Sequence, residues 1–443
     1  MSDRFDLVLS KGTVWMPGGP VETDIGVRDG RVVAFGALAG QGDQTLDCQG
    51  QDILPGVIDT QVHFREPGLE HKEDLETGTR GAVLGGVTGI FEMPNTKPGT
   101  TTAEALADKV QRAKNRAWCD FSFFIGAATD NIDTLGGLER LPGCAGIKVF
   151  MGSSTGSLLV AEDGEVARVL QQGYRRIAVH CEDEYRLKER WELVKDGAPV
   201  HMHPVWRDEE TALRATQRLV RLAEAARRRV HVLHVTSAEE MAYLADHKDW
   251  ATVETTPQHL TLAAPDAYDR LGTKAQMNPP IRDERHRDAL WKAVAEGVVD
   301  VLGSDHAPHT LDEKAKPYPQ SPSGMTGVQT LVPVMLTHVA NGKLSLERFI
   351  DLTSAGPARI YNIQGKGRIA LGYDADFTVI DRKASRTISD SWIASRAGWT
   401  PFDGFKTTGW PTATVVRGQI VMRDDELQGQ AIGEPVRFLD TLL

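Results

Sequence analysis

The stretch ILPGVIDTQVHFR, from Ile53 to Arg65, starts apolar and ends polar. Side chains of an extended strand alternate, so Asp59, Gln61, His63 and Arg65 share one face and Val62 and Phe64 take the other. Seven more segments have the same character: GGVTGIFEMPN (85–95), CDFSFFIGA (119–127), AGIKVFMG (145–152), RRIAVHCED (175–183), RVHVLHVTS (229–237), TVETTPQHL (252–260) and VDVLGSDHAPH (299–309). Helical stretches separate them. Thr101 to Glu104 reads as a capping box before ALADKVQRAK, and Ser237 to Glu240 as another before MAYLADH. Between Arg207 and Arg228, Leu213, Thr216, Leu219, Val220 and Ala223 recur at helical spacing, with arginines on the other face. Eight β–α units over ~300 residues is the arithmetic of a (β/α)8 barrel, although an open doubly wound sheet uses the same units.

The two ends have a different rhythm. DLVLSKGTVW and TDIGVRDGRVVAFG are short strands, and Asp29-Gly30 is a hairpin signal. GYDADFTVIDRK and ATVVRGQIVMRDDEL repeat the style near the other terminus, the second turning at Arg417-Gly418. This pattern predicts one accessory β domain built from both ends. The division is 1–55 and 361–443 for the accessory β-sandwich and 56–360 for the barrel.

Bulk properties narrow the function. The chain has 443 residues, 41% hydrophobic and 25% charged, as expected of a soluble globular enzyme. A net charge of −11 argues against a nucleic-acid partner, which would need a basic surface. Cys48, Cys119, Cys144 and Cys181 lie far apart, forming neither a disulfide framework nor a thiolate zinc site, which fits a reducing cytoplasm. No signal-peptide core is present, and no apolar run approaches membrane-span length.

Chemistry-bearing residues gather at the ends of the predicted strands, where a barrel places its site. These are His63, Asn95, Lys148, His180, His234 and Asp305. A lone histidine at a strand end is usually structural. Three of them with an aspartate on separate strands match the donor set of zinc or a similar divalent ion. Lys148 lies among Ile147, Val149 and Phe150. It is either a snorkelling or ion-paired lysine, or an amine whose pKa burial lowers until it can take up carbon dioxide as a carbamate. His201 and His203 read as surface residues, His259 stays undecided, and Cys181 should point away from His180. His71, His231, His247, His286 and His338 have no evident partners.

In order along the chain, GVIDTQVHFREPGLEHKEDLETGTRGAVLGGVT, EMPNT, IKVFMGSSTG, HVLHVTS, MNPPIR and SDHAPHT resemble the dihydroorotases of the amidohydrolase superfamily. The resemblance spans nearly the whole chain. HFREPG, NPPIR and SDHAPH together set it apart from hydantoinases and allantoinases. It implies a (β/α)8 barrel with one or two zinc ions per chain, acting on a small cyclic amide, dihydroorotate, whose hydrolysis gives N-carbamoyl-aspartate; the reverse reaction serves pyrimidine biosynthesis. It further implies that His63 and Asp305 bind a first metal, that His180 and His234 bind a second, and that carboxylated Lys148 bridges them. Arg65, Asn95 and His309 would grip the substrate carboxylate, Asn278 would face the ring, and Asp305 would shuttle the proton.

Gln61 departs from the His-x-His of most members. An amide oxygen is a weaker zinc ligand than imidazole, so three outcomes are open. Gln61 coordinates weakly while two metals bind, or only the second site fills, or the chain is a non-catalytic partner of aspartate carbamoyltransferase. Self-association into a homo-oligomer is a further expectation. Lys314 to Gly327, KAKPYPQSPSGMTG, reads either as a mobile loop over the site or as an ordinary surface connection.

Overall fold

A computed structural model describes residues 4–154 and 158–441. Eight parallel strands follow one another around a barrel: β1 Val57–Val62, β2 Val87–Glu92, β3 Asp120–Gly126, β4 Cys144–Phe150, β5 Ile177–His180, β6 Val230–Val232, β7 Ala251–Thr255 and β8 Val301–Leu302. The ring closes where Val62 bridges His306 and the His63 N–H donates to the His306 carbonyl at 2.7 Å. All eight expected strands are present in that order, and the barrel rather than the open sheet is the architecture. β8 is shorter than the sequence suggests, because the chain turns at Asp305, whose φ is +45°. The apolar residues of the strands face an outer shell of helices in one continuous core.

The first expected strand proves to be two. Asp52–Pro55 belongs to an outer sheet and Val57–Val62 to the barrel, with Gly56 as the joint. A Cβ at Gly56 would lie 2.2 Å from Thr88 Oγ1, so the crossing needs glycine. The long helix is Glu209–Ala226, with Thr216, Leu219, Val220 and Ala223 buried. Ser237 caps its helix as expected. The other cap is Thr102, one residue after the expected Thr101, and it accepts from the Ala105 N–H.

Strands from both ends of the chain make the sandwich. A seven-stranded sheet joins Thr13–Met16, Gly19–Glu22 and Asp52–Pro55 to Phe377–Thr387, Lys406–Val416, Gln419–Arg423 and Glu426–Leu427. A four-stranded sheet of Phe5–Ser10, Asp24–Arg28, Arg31–Gly36 and Gly42–Asp47 packs over it through Leu7, Ile25, Val27, Phe377 and Val415. The turns at Asp29-Gly30 and Arg417-Gly418 have positive φ at both residues, as the tight hairpins require. No helix among the described residues is long and apolar enough to cross a membrane.

Candidate active site

The carboxyl ends of the strands converge on a small cavity of about 20 Å³, room for a water molecule. Gln61, His63, Lys148, His180, His234, Asn278 and Asp305 all line it, joined by Phe150, Ser154 and Gly324. Arg65, His234 and Asp305 have φ of +68°, +37° and +45°. Non-glycine residues rarely adopt such a backbone, and it concentrates at sites where side chains must be aimed.

Asp305 is the hub of one half. Its Oδ1 lies 3.2 Å from His63 Nε2 and accepts from Gln61 Nε2 at 3.1 Å. Turning the Gln61 amide over would set its oxygen against the carboxylate, so the network fixes the amide with nitrogen inward. The other ring nitrogen of His63, Nδ1, meets Asn95 Oδ1 at 2.8 Å. In the other half, His180 Nδ1 and His234 Nε2 face each other at 3.1 Å, with ring centroids 4.8 Å apart and planes at 81°. Burial lowers the pKa of His63 and His180 and takes that of His234 well below its ordinary value, which favours the neutral rings, each with one nitrogen lone pair.

Lys148 is 1% exposed, and its Nζ lies 4.4 Å from the centroid of the Phe150 ring. Burial pulls its pKa from 10.5 to about 7. Beneath the site two more buried acids are pushed up by desolvation, Asp59 to about 7 and Glu254 to about 8.

Beside the cavity the Arg65 guanidinium donates to the Pro308 carbonyl at 3.1 Å and meets His309 Nε2 at 3.2 Å. Burial lowers its pKa to about 10, so it stays charged at neutral pH. Among the described residues no carboxylate pairs with it. His309 Nδ1 is 3.1 Å from Lys72 Nζ, which pairs with Glu313 at 2.9 Å. The segment from Lys314 to Gly327 is anchored rather than a plain surface connection. Lys314, Tyr318, Ser321 and Met325 are buried, and Lys314 Nζ donates to the carbonyls of Gln276, Pro322 and Gly324 at 2.8 to 3.1 Å.

His203 corrects the sequence reading. It is fully buried, not on the surface, and its Nε2 meets the Met277 carbonyl at 2.9 Å and Asn278 Oδ1 at 3.1 Å. Glu182 was missed altogether, yet its Oε2 lies 2.9 Å from His180 Nε2. The signal was present in His180-Cys181-Glu182, where alternate residues share a side.

Among the described residues no three His, Cys, Asp or Glu side chains converge closely enough to hold a metal unaided. The 3.1 Å between His180 Nδ1 and His234 Nε2 is nonetheless close to the ~3.3 Å tetrahedral edge of a zinc with nitrogens at about 2.0 Å. An ammonium at Lys148 would repel the cation, whereas a carbamate there would supply oxygen donors. The residues therefore fit zinc when Lys148 is carboxylated.

The fold and the place where its polar side chains gather define the class: the chain belongs to the amidohydrolase family, whose model matches residues 53–421. It is an enzyme, a cyclic amidohydrolase. Its relatives within the family include dihydroorotases. That of Methanothermobacter thermautotrophicus is 33% identical, covering 96% of this chain and 95% of its own, and that of Halobacterium salinarum is 35% identical, covering 95% and 96%. Among solved structures, the L-hydantoinase (dihydropyrimidinase) of Arthrobacter aurescens superposes with a TM-score of 0.93 at 29% identity, over 98% of this chain and 99% of that one.

Proposed function

We propose that the chain is a zinc-dependent dihydroorotase, which opens the cyclic amide of dihydroorotate to N-carbamoyl-aspartate and closes it again in pyrimidine biosynthesis. The observation that carries this is Arg65: a buried, charged guanidinium beside the cavity with no carboxylate among the described residues to pair with. A planar fork of this kind suits a substrate carboxylate. Asn95 and His309 complete the grip, and Asn278, held by His203, faces the ring.

Zinc would be held by His180 and His234 with carboxylated Lys148, and a second ion by His63 and Asp305. When bound, it supplies Lewis acidity to the scissile carbonyl and acidifies an attacking water. Lys148, with its pKa near 7, is in large part the free amine at neutral pH. That amine attacks carbon dioxide, forming an N–C bond and releasing one proton. Asp305 takes the proton of the attacking water on its carboxylate and returns it to the leaving ring nitrogen, so one group serves as base and then acid. His63 and Gln61 aim that carboxylate. Gln61 spends its N–H on Asp305, which leaves only its oxygen for a metal and makes the His180–His234 side the tighter site. Four buried free thiols suit a reducing cytoplasm.

The likeness to a hydantoinase structure favours a second reading, opening of a ring that lacks a carboxylate. Turnover of the zinc-loaded chain separates the two. Ring closure of N-carbamoyl-aspartate is expected, with Asp305→Asn lowering kcat at least about 10³-fold and Arg65→Met raising KM at least about 30-fold. Turnover of hydantoin or dihydrouracil but not of dihydroorotate would overturn the proposal. Inactivity together with tight binding to aspartate carbamoyltransferase would point to a non-catalytic partner.

A further inference from the structure

Glu182 follows His180 by two residues, is fully buried, and lies between that histidine and an arginine. Its Oε2 is 2.9 Å from His180 Nε2, close in distance but off the straight hydrogen-bond line. On its other side Arg207, 3% exposed, spans the carboxylate, with Nε at 3.0 and 3.1 Å from the two oxygens and a second donor on Oε2. The same guanidinium donates to the Ser153 carbonyl at 2.7 Å. Ser153 precedes Ser154, which lines the cavity and accepts from Asn278 Nδ2 at 3.4 Å. Gly152 allows the loop this close, since a Cβ there would lie 2.3 Å from the Glu182 carbonyl oxygen.

We propose that Glu182 is a positioning residue that fixes the tautomer of His180, keeping the Nδ1 lone pair turned toward His234, and that Arg207 holds Glu182 in place for this task. The inference rests on reading His180 and His234 as the zinc pair. An ionised carboxylate only accepts hydrogen bonds, and at 2.9 Å a ring lone pair would be repelled by it. The hydrogen of the neutral imidazole must therefore sit on Nε2, which leaves Nδ1 as the donor atom. Without Glu182 the proton is free to move to Nδ1 and block that atom. Arg207 spreads the effect, because the ion pair also ties the loop carrying Ser154 to the metal-facing histidine.

The test is the zinc dissociation constant of the full chain, measured by competition with a chromogenic chelator. Glu182→Leu alone strands the Arg207 charge in the interior, so the informative variant is Glu182→Leu with Arg207→Met, which replaces both charges by apolar groups. It is expected to melt within a few degrees of the native chain and to bind zinc about 10- to 100-fold more weakly. Arg207→Lys, which keeps a cation against Glu182, is expected to bind zinc within threefold of the native chain. The inference is overturned by a folded double variant whose zinc affinity stays within threefold, by Arg207→Lys losing as much affinity as the double variant, or by a native chain that takes up no zinc. None of these readouts uses substrate. A chain that ignores dihydroorotate but shows the expected zinc series therefore loses its proposed reaction and keeps this inference.

Discussion

Lys148 and Lys314 are both buried lysines whose pKa desolvation lowers to about 7, yet their surroundings assign them different work. Lys148 borders the cavity and is sealed from water, and that desolvation favours the neutral amine. Lys314 is caged by three backbone carbonyls and holds together the segment that runs past the site. Its folded pKa lies below the unfolded value of 10.5. Between pH 7 and 10.5 the unfolded chain thus binds more protons than the folded one, and stability rises with pH through that window. The maximal slope from one such group is about 1.4 kcal/mol per pH unit. Lys314→Met is expected to remove that slope, so the stability gap between native and variant should change steadily across denaturant titrations at pH 7, 8 and 9. A constant gap would show that Lys314 does not titrate there. At this scale the sequence was legible where a residue type is itself unusual, such as a histidine, aspartate or lysine at an apolar strand end. Glu182 was legible only through its spacing from His180, and His203 was not legible at all, because a polar residue outside the strands reads as exposed until its partner, here Asn278, is brought in from a distant part of the chain.

The strands were readable as elements because each carries its own apolar run, and a parallel barrel buries such runs on both faces. Their limits were less readable. β8 ends early because Asp305 leaves the extended region, and no residue type announces that turn. The continuous run from Ile53 to Val62 hides a change of partner sheet, marked only by Pro55-Gly56. That joint makes a specific demand on one residue. The Gly56 N–H donates to the Asp376 carbonyl at 2.9 Å, and an added methyl would meet Thr88 Oγ1 at 2.2 Å and Asp376 Cβ at 2.9 Å. Gly56→Ala is expected to cost about 1–3 kcal/mol by overpacking. Guanidinium unfolding should show the loss as a lower midpoint with an unchanged m-value. A midpoint equal to that of the native chain would mean that sandwich and barrel slide past each other at this joint.

Over the whole molecule, the candidate site and the packing that closes the barrel floor lie at opposite ends of the barrel, as the fold predicts. The carboxyl ends of the strands hold Asp305, His63, Lys148 and the histidine pair. The amino ends are closed by the last described stretch of chain. There the Phe121 N–H donates to the Glu434 carbonyl at 3.0 Å, and Arg175 pairs with Asp440 at 2.9 Å. Between them Phe438 enters the floor of the barrel, 3% exposed, with its ring 5.6 Å from Phe91 and in one apolar cluster with Phe124 and Tyr361. This plug joins residues about 300 positions apart in sequence, so local patterning could not reveal it, although the two-ended sandwich did show in the repeated hairpin style. Removing the ring should leave a cavity that the surrounding strands, fixed by the closed hydrogen-bonded ring, cannot collapse to fill. Phe438→Ala is therefore expected to lose about 3–5 kcal/mol of unfolding free energy. Because Phe438 is not among the residues that line the candidate cavity, kcat and KM at 25 °C should stay within about twofold of the native values, while the half-life of activity near the melting temperature falls steeply. A variant that keeps its stability, or one that loses kcat while still fully folded, would show that floor and site are not the independent parts this architecture makes them.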